Sequence, residues 1–335
     1  DPPPDHAPFA QPWRQANGDD LLAFATESKL TTFRQPLMPL SEWLTQGRSA
    51  NTQTLILNAL ENQPYLTANH RLLVEYGPLV LTGLAILART LGASRVVLAV
   101  DQRRTKACAH LIVPANELGI ELIGLPHKYP LGADPILLRV ITGREVPQGR
   151  PSSDIHAAVI DPMTALAVAR WFSTGQHTLW RVVTLDGSQA RNARNLAVPL
   201  GTPCETLFEM PGVELTHGGP MTGLPCPPGA IVTPSTRAVL ALARESHASP
   251  HACLRCGWCT DLCPTRLNVS NINDAFELAD FALAQQAGAM ACVHCGVCSY
   301  ICPSRLPLTH RVGEMKHLLS EGRSLATPPD AGELP

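Results

Sequence analysis

Two stretches near the end of this chain restrict it more than any other feature. ACLRCGWCTDLCP and ACVHCGVCSYICP each carry the spacing C-x2-C-x2-C-x3-C-P. The first supplies Cys253, Cys256, Cys259 and Cys263 ahead of Pro264; the second supplies Cys292, Cys295, Cys298 and Cys302 ahead of Pro303. Bacterial chains with this spacing hold two cubane iron–sulfur clusters, and the fourth cysteine of each run reaches across to the other cluster. The expected ligand sets are therefore Cys253, Cys256, Cys259 and Cys302 for one [4Fe–4S] cluster, and Cys292, Cys295, Cys298 and Cys263 for the other. Three thiolates two residues apart curl a tight loop around one face of a cube. Gly257 and Gly296 sit inside these loops, where a side chain would crowd the cluster and unusual backbone angles are needed. The two prolines turn the chain out of helix.

Other uses of eight cysteines fit less well. Zinc takes four ligands as two separated pairs. Disulfides need an oxidising compartment and give no reason for the duplication. Three further cysteines, Cys108, Cys204 and Cys226, read as small buried hydrophobes. Thiolate ligands of this kind place the chain in a reducing, cytoplasmic setting. A formal net charge of -2 removes nucleic acid from the list of partners. A length of 335 residues allows two or three domains with real cores. The longest apolar run, residues 77–91, is broken by Thr82 and Arg89 and reads as a core helix, not a membrane span. No signal peptide is visible, and the chain starts at Asp1 without a methionine.

Along the chain, residues 1–50 read as an extended, proline-rich arm. Residues 54–60 form a short apolar run suited to a buried parallel strand. Helical periodicity follows over 71–91, stopping at Gly92. Strands are expected at 95–101, 120–125 and 155–160, with helices over 105–118, 134–141 and 163–172 between and after them. Strand and helix in alternation point to a parallel α/β sheet, so 51–178 is one Rossmann-like domain. Residues 181–187 alternate apolar and polar, 204–210 form a short helix, and VELTHGGPMTGLP reads as a loop, which makes 179–230 a small β-rich domain. A helix over 238–245 leads into a cluster domain at 231–320. That domain also contains a helix over 273–286 and a closing helix over 308–319. Residues 321–335 read as a loose tail.

Taken in order, LNALENQPYLTANHRLL, KYPLGADPILLRVITGREVP, RVVTLDGSQARNARNLAVPLGTP, HGGPMTGLP and the double cysteine run resemble the RnfC family, the C subunits of Rnf electron-transport complexes. That family is related to the flavin-bearing NADH subunit of complex I. The resemblance covers roughly residues 54–319. It implies a Rossmann-like flavin domain, a β-grasp domain of the soluble-ligand-binding type, and a ferredoxin-like helical domain with two [4Fe–4S] clusters. The family's chemistry is hydride transfer from NADH to FMN, followed by single electrons into the clusters.

The match departs from the family where the flavin belongs. A glycine-rich loop that brings backbone N–H groups to phosphate is replaced by SKLTTFRQPLMPLSEWL, with bulky Phe33, Leu37, Met38 and Leu40. N-G-A-E-C-E-P becomes the stretch from Asn58 to Pro64, with Gln63 in place of the second acid. G-G-E-K becomes Gly132-Ala133-Asp134-Pro135, in which Pro135 removes a backbone donor. Q-N-V-G-T becomes Ile160-Asp161-Pro162-Met163-Thr164, which sets the Asp161 carboxylate where a neutral amide would face flavin. Asn58 and Glu61 remain as a polar corner that would touch a retained flavin, or else as strand-end hydrogen-bonding residues. Arg255 and His294 occupy variable positions of the cluster loops, where charge and hydrogen bonding tune potential, and Trp258 is expected to shield its cluster from water. No catalytic residue stands out.

The expectation is an electron-transfer subunit of a larger, membrane-associated redox complex, peripheral on the inner face of the cell membrane. It would carry two [4Fe–4S] clusters, bind neither FMN nor NAD(H), and work beside other redox subunits, at least one of them integral to the membrane. The competing expectation is an enzyme: an FMN-dependent NADH dehydrogenase subunit or a flavin-dependent corrinoid reductase.

Overall fold

A computed structural model describes residues 9, 12–61, 63–208, 213–243 and 249–322. Most of the segment read as a loose tail, residues 323–335, lies outside the described residues, as do most of the first eleven. In chain order the helices are α1 Gly18–Glu27, α2 Leu40–Ser49, α3 Ala68–Leu91, α4 Ile112–Glu117, α5 Asp134–Thr142, α6 Pro162–Thr174, α7 Trp258–Asp261, α8 Val269–Leu278, α9 Phe281–Gln286, α10 Val297–Ile301 and α11 Leu308–Ser320. The strands are β1 Thr54–Asn58, β2 Arg95–Asp101, β3 Ile120–Leu125, β4 Ala157–Ile160, β5 Trp180–Asp186, β6 Arg194–Pro199, β7 Leu215–His217, β8 Leu224–Pro225 and β9 Ala238–Ala241. The chain divides into two compact units. One comprises Asp1–Gly132 with Ser152–Arg244, and the other Ala133–Pro151 with Glu245–Pro335.

The larger unit holds both sheets. The first is fully parallel, in the order β3-β2-β1-β4. β1 and β4 are apolar and buried along nearly their whole length, as a parallel strand covered on both faces must be. α3 and α6 pack so closely that a Cβ on Gly83 would lie 1.8 Å from the carbonyl oxygen of Ala165. By length and composition α3 could cross a membrane, which a reading limited to residues 77–91 does not suggest. However, 61% of its most apolar window is buried inside the protein, and Leu72, Leu81 and Leu84 belong to the core.

Residues 18–49 are not an extended arm. Asn17 caps α1 by accepting from the N–H groups of Asp19 and Asp20, and Leu21, Leu40 and Leu44 are fully buried. The helical spacing of these few apolar residues is masked in sequence by the prolines around them. The expected helix over 105–118 shortens to α4 and a preceding single turn. The expected helix over 273–286 breaks into α8 and α9, because Ala279 adopts φ 52° and Asp280 caps a new start.

The second sheet runs β6-β5-β9-β7-β8, with β5 and β9 parallel and the other pairs antiparallel. β9 replaces the first part of the helix expected at 238–245. AVLA is wholly buried between β5 and β7, and a four-residue apolar run carries no period that would separate strand from helix. The small β-rich region thus continues past residue 230. Gly187, at φ 125°, lets the chain pass the backbone of Ala241, whose carbonyl oxygen would lie 2.2 Å from an added Cβ.

The smaller unit packs α8, α9 and α11 around Ile272, Phe281, Leu306, Val312 and Met315, with six of the cluster-motif cysteines at the edge of the same core.

Candidate functional site

The smaller unit brings the eight motif cysteines together around two cavities. One is walled by Cys253, Cys256, Cys259 and Cys302, with Ser270, Asn273 and Leu308 behind them. The other is walled by Cys263, Cys292, Cys295 and Cys298, with Val269, Thr309 and Val312 behind them. The local reason lies in the loops. Gly257 and Gly296 take φ 82° and 81°, start α7 and α10, and bend the three-cysteine run into a hook. Arg255 and His294 also adopt positive φ, 54° and 51°, inside the same hooks.

The donor chemistry fits sulfur-ligated clusters. The N–H of His294 points at Cys292 Sγ at 3.4 Å, and the N–H of Leu267 at Cys263 Sγ at 3.5 Å. Among the described residues no three His, Cys, Asp or Glu side chains converge on a site for one metal ion. Burial pushes the Cys292 thiol up to about 11 and raises Cys259, Cys295 and Cys298 as well. Ligation of these four thiols has to displace their protons. Trp258 lines neither cavity and is 52% exposed, so it does not shield a cluster as the sequence suggests. Arg255 lines the first cavity and pairs with Asp274 at 2.9 Å.

The flavin-type positions in the larger unit are spent on their own chain. Asn58 Nδ2 donates to the carbonyl of Gly132 at 2.8 Å, and its Oδ1 accepts from the N–H of Leu60 at 3.2 Å. Glu61 accepts from the N–H of His70 at 3.0 Å, in the first turn of α3, and so satisfies an orphan donor of that helix. Burial raises its carboxyl above the ordinary value, against the pull of that bond and of Arg237 and Arg104.

The Asp161 carboxylate is engaged within its own helix. It is buried and caps α6, accepting from the N–H of Thr164 at 3.0 Å and from the Thr164 hydroxyl at 2.5 Å. Thr164 Oγ1 in turn accepts from the N–H of Phe33 at 2.8 Å. Arg34 donates to the carbonyl of Val159 at 2.7 Å, and fully buried Arg181 donates to the carbonyl of Phe33 at 3.1 Å. The stretch that replaces the glycine-rich loop is therefore pinned across the C-terminal end of β4, next to β1. Ligands bind there in open α/β sheets, where the strand order reverses. Phe33 and Leu40 are buried and Leu37 is 44% exposed.

A polar pocket remains beside this crevice, and sequence reasoning missed most of it. Glu61, Gln63, Asp101, His127, Lys128, Tyr129 and Gly132 line it. Asp101 ends β2 and binds His127 Nδ1 at 2.6 Å and Arg103 at 3.2 Å. Burial would raise its carboxyl, but the hydrogen bonds from Arg103 and His127 outweigh that and hold it below the usual range. Its sequence signal is position, because the C-terminal ends of parallel strands gather functional side chains. Gln63, the amide at the family's second acidic position, accepts from the N–H of Met221 at 2.9 Å and donates to Thr222 Oγ1 at 2.5 Å. A carboxylate could not make that donation. Gly219 makes room for it, because an added Cβ would lie 2.3 Å from Gln63 Oε1.

Comparison with known proteins places these features in context. Residues 37–170 match the Nuo51 FMN-binding domain family, and residues 247–303 match the 4Fe-4S dicluster domain family. The C subunit of an ion-translocating oxidoreductase complex from Rhodobacter capsulatus is 36% identical over 283 residues, 81% of this chain and 54% of the relative. The protein of the same name from Edwardsiella ictaluri is 34% identical over 234 residues, 66% of this chain and 29% of the relative. The C subunit of the proton-translocating ferredoxin:NAD(+) oxidoreductase complex of Clostridium ljungdahlii is 27% identical over 279 residues, 79% of this chain and 60% of the relative. The chain thus spans 29% to 60% of the length of these relatives. Among solved structures, an NAD+-reducing [NiFe]-hydrogenase in the H2-reduced state has a chain of the same fold. The TM-score is 0.60 at 15% identity, covering 94% of this chain and 64% of that one.

Proposed function

Because the chain belongs to the Rnf C-subunit family, as its relatives establish, we propose that it relays single electrons through two [4Fe–4S] clusters inside a larger, membrane-associated redox complex. The observation that carries this reading is the pair of four-thiol cavities, each combining three cysteines of one motif with the fourth of the other. Cys253, Cys256, Cys259 and Cys302 would hold one cluster, and Cys292, Cys295, Cys298 and Cys263 the second. A cubane, when bound, supplies one-electron uptake and release without proton transfer. The chain's own residues fix the ligand geometry, direct N–H groups at the sulfurs, and cover the inner faces with Leu267, Val269, Leu306 and Leu308. Partners on this reading are other redox subunits, at least one integral to the membrane, with this chain peripheral on the cytoplasmic face.

The same proposal holds that the chain performs no NADH or FMN chemistry of its own. The N–H groups and polar side chains that a flavin phosphate requires are engaged by Thr164, Asp161, Gly132 and the first turn of α3. One finding favours the other reading, a flavin enzyme: the match of residues 37–170 to an FMN-binding family. One preparation decides between them. Protein isolated anaerobically from its native membrane should contain about eight iron and eight acid-labile sulfide per chain, four of each per cubane. It should also be brown and release no flavin on denaturation. Stoichiometric flavin, reducible by NADH, would establish the enzyme instead. Cys263→Ser and Cys302→Ser test the crossed ligation, since each should disturb the EPR signal of the cluster assigned mainly to the opposite motif.

A further inference from the structure

The two thiol cavities are built from corresponding positions of two successive stretches. Cys253, Gly257, Ser270 and Asn273 line one; Cys292, Gly296, Thr309 and Val312 stand in the matching places of the other. The correspondence continues along α8 and α11, the helices that follow the two motifs, and there the charge inverts. Where α8 carries Glu277, α11 carries Lys316.

The two surroundings differ accordingly. Around the first cavity the charges are mutually compensated. Arg255 pairs with Asp274 at 2.9 Å, and Arg311 pairs with Glu277 at 2.7 Å while also donating to Asn273 Oδ1 at 2.6 Å. Cys256 there is exposed. Around the second cavity none of the four cysteines is exposed. Lys316 is half-buried and donates from Nζ to the carbonyl of Cys292 at 2.7 Å. A second donor joins it. The N–H of Thr309 and the hydroxyl of Ser299 both point within the Ser299–Thr309 pair, at 2.8 and 2.9 Å, which leaves the Thr309 proton for Cys298 Sγ at 3.3 Å.

We propose that Lys316 sets the potential of the cluster held by Cys263, Cys292, Cys295 and Cys298, and of that cluster selectively. The proposal rests on the two-cluster reading above. Reduction adds one negative charge to a thiolate-ligated cluster, and burial disfavours the more highly charged form. Unopposed, burial would make the less exposed cluster the harder of the two to reduce. A fixed ammonium beside one ligand counters this. Its attraction falls only as the inverse of distance, and half-burial spares it from most of the screening that an exposed lysine suffers. Lys316 thereby keeps this cluster within reach of an electron held on its more exposed neighbour, which a relay requires.

The test is an anaerobic redox titration of the holoprotein followed by EPR. Wild type, Lys316→Met, Lys316→Gln and Lys316→Arg are compared, after iron analysis of the wild type. About eight iron per chain upholds the two-cluster reading independently of Lys316; about four would sink that reading first. Lys316→Met should lower one midpoint by at least about 59 mV, a tenfold change in a one-electron equilibrium. The other midpoint should move by less than half as much. Lys316→Gln, which keeps a donor to the Cys292 carbonyl without the charge, should behave like Lys316→Met, and Lys316→Arg should restore most of the loss. Unchanged midpoints, equal shifts of both, or a Lys316→Gln protein titrating like wild type would overturn the proposal. If Lys316→Met loads less iron, the contrast between Lys316→Gln and Lys316→Arg decides.

Discussion

In the smaller unit eight thiols converge on two cavities, whereas in the larger unit the polar side chains at the sheet's C-terminal edge turn back onto their own chain. Cys253, Cys292 and four more of the motif cysteines sit at the edge of a small apolar core that they help to close. Asn58, Glu61, Gln63 and Asp161 each satisfy a backbone group or a neighbouring loop of the same unit. The convergent thiols are left for a ligand to complete, while these donors at the sheet edge are paired within their own unit.

Removing the iron is the harshest way to break this contrast. The smaller unit has few buried apolar residues, and its sulfur-lined cavities would be left as voids. Metal binding in such small domains is in large part folding free energy. Chelation under oxidising conditions should abolish the cooperative packing of α8, α9 and α11, seen as a loss of helical circular dichroism. The thermal transition of the larger unit should persist. Unchanged helicity in the iron-free protein would show that the smaller unit needs no ligand.

The same contrast explains what the sequence reveals. The cysteine spacing is rigid because cluster geometry allows few alternatives, so all eight positions and their grouping can be read directly. The parallel strands are equally plain, since apolar runs such as 54–58 and 157–160 have no other place to go. Residues 18–49 are not plain: Leu21, Leu40 and Leu44 make helices only against a core that the local sequence does not contain. β9 escapes for the same reason, as AVLA becomes a strand only between β5 and β7. Asp161 is the sharpest case. The family pattern sets its carboxylate where an amide would face flavin, and Pro162 at the first helical position makes it the cap of α6.

Asp161 also offers a milder test. Asp161→Ala removes a helix cap and the partner of the Thr164 hydroxyl, so the larger unit should lose about 1–2 kcal/mol. Asp161→Asn keeps an oxygen for the N–H of Thr164 and should cost less than about 0.5 kcal/mol. It also restores the amide found at this position in the family pattern. If Asp161→Asn gains stoichiometric flavin when supplied with FMN, the carboxylate alone had excluded it, and the pinned Phe33 segment is no barrier. Urea unfolding and a flavin assay on the same preparations read both results.

An effect no larger than that of Asp161→Ala is expected at Asp101, where the larger unit's self-satisfaction depends on charge. Its side chain is 8% exposed and is held by His127 and Arg103, and its pKa in the folded protein lies below the ordinary value. A carboxylate whose folded pKa is depressed contributes stability that is fully present above the unfolded pKa, about 3.9. The contribution is lost as pH falls through the lower folded value. Asp101→Asn should therefore be less stable than wild type by roughly 1 kcal/mol at pH 7, since both of its partners are more than half exposed and screened by solvent. The gap should close on acidification below the folded pKa, where the wild-type carboxyl is also neutral. Urea midpoints followed by the fluorescence of Trp171 and Trp180, in the same unit, provide the measurement. Any acid loss of the clusters affects both proteins alike and leaves the difference between them intact. A gap that stays constant from pH 7 down to about 2 would mean that Asp101 acts through shape and the N–H of Arg103, and that its charge contributes nothing.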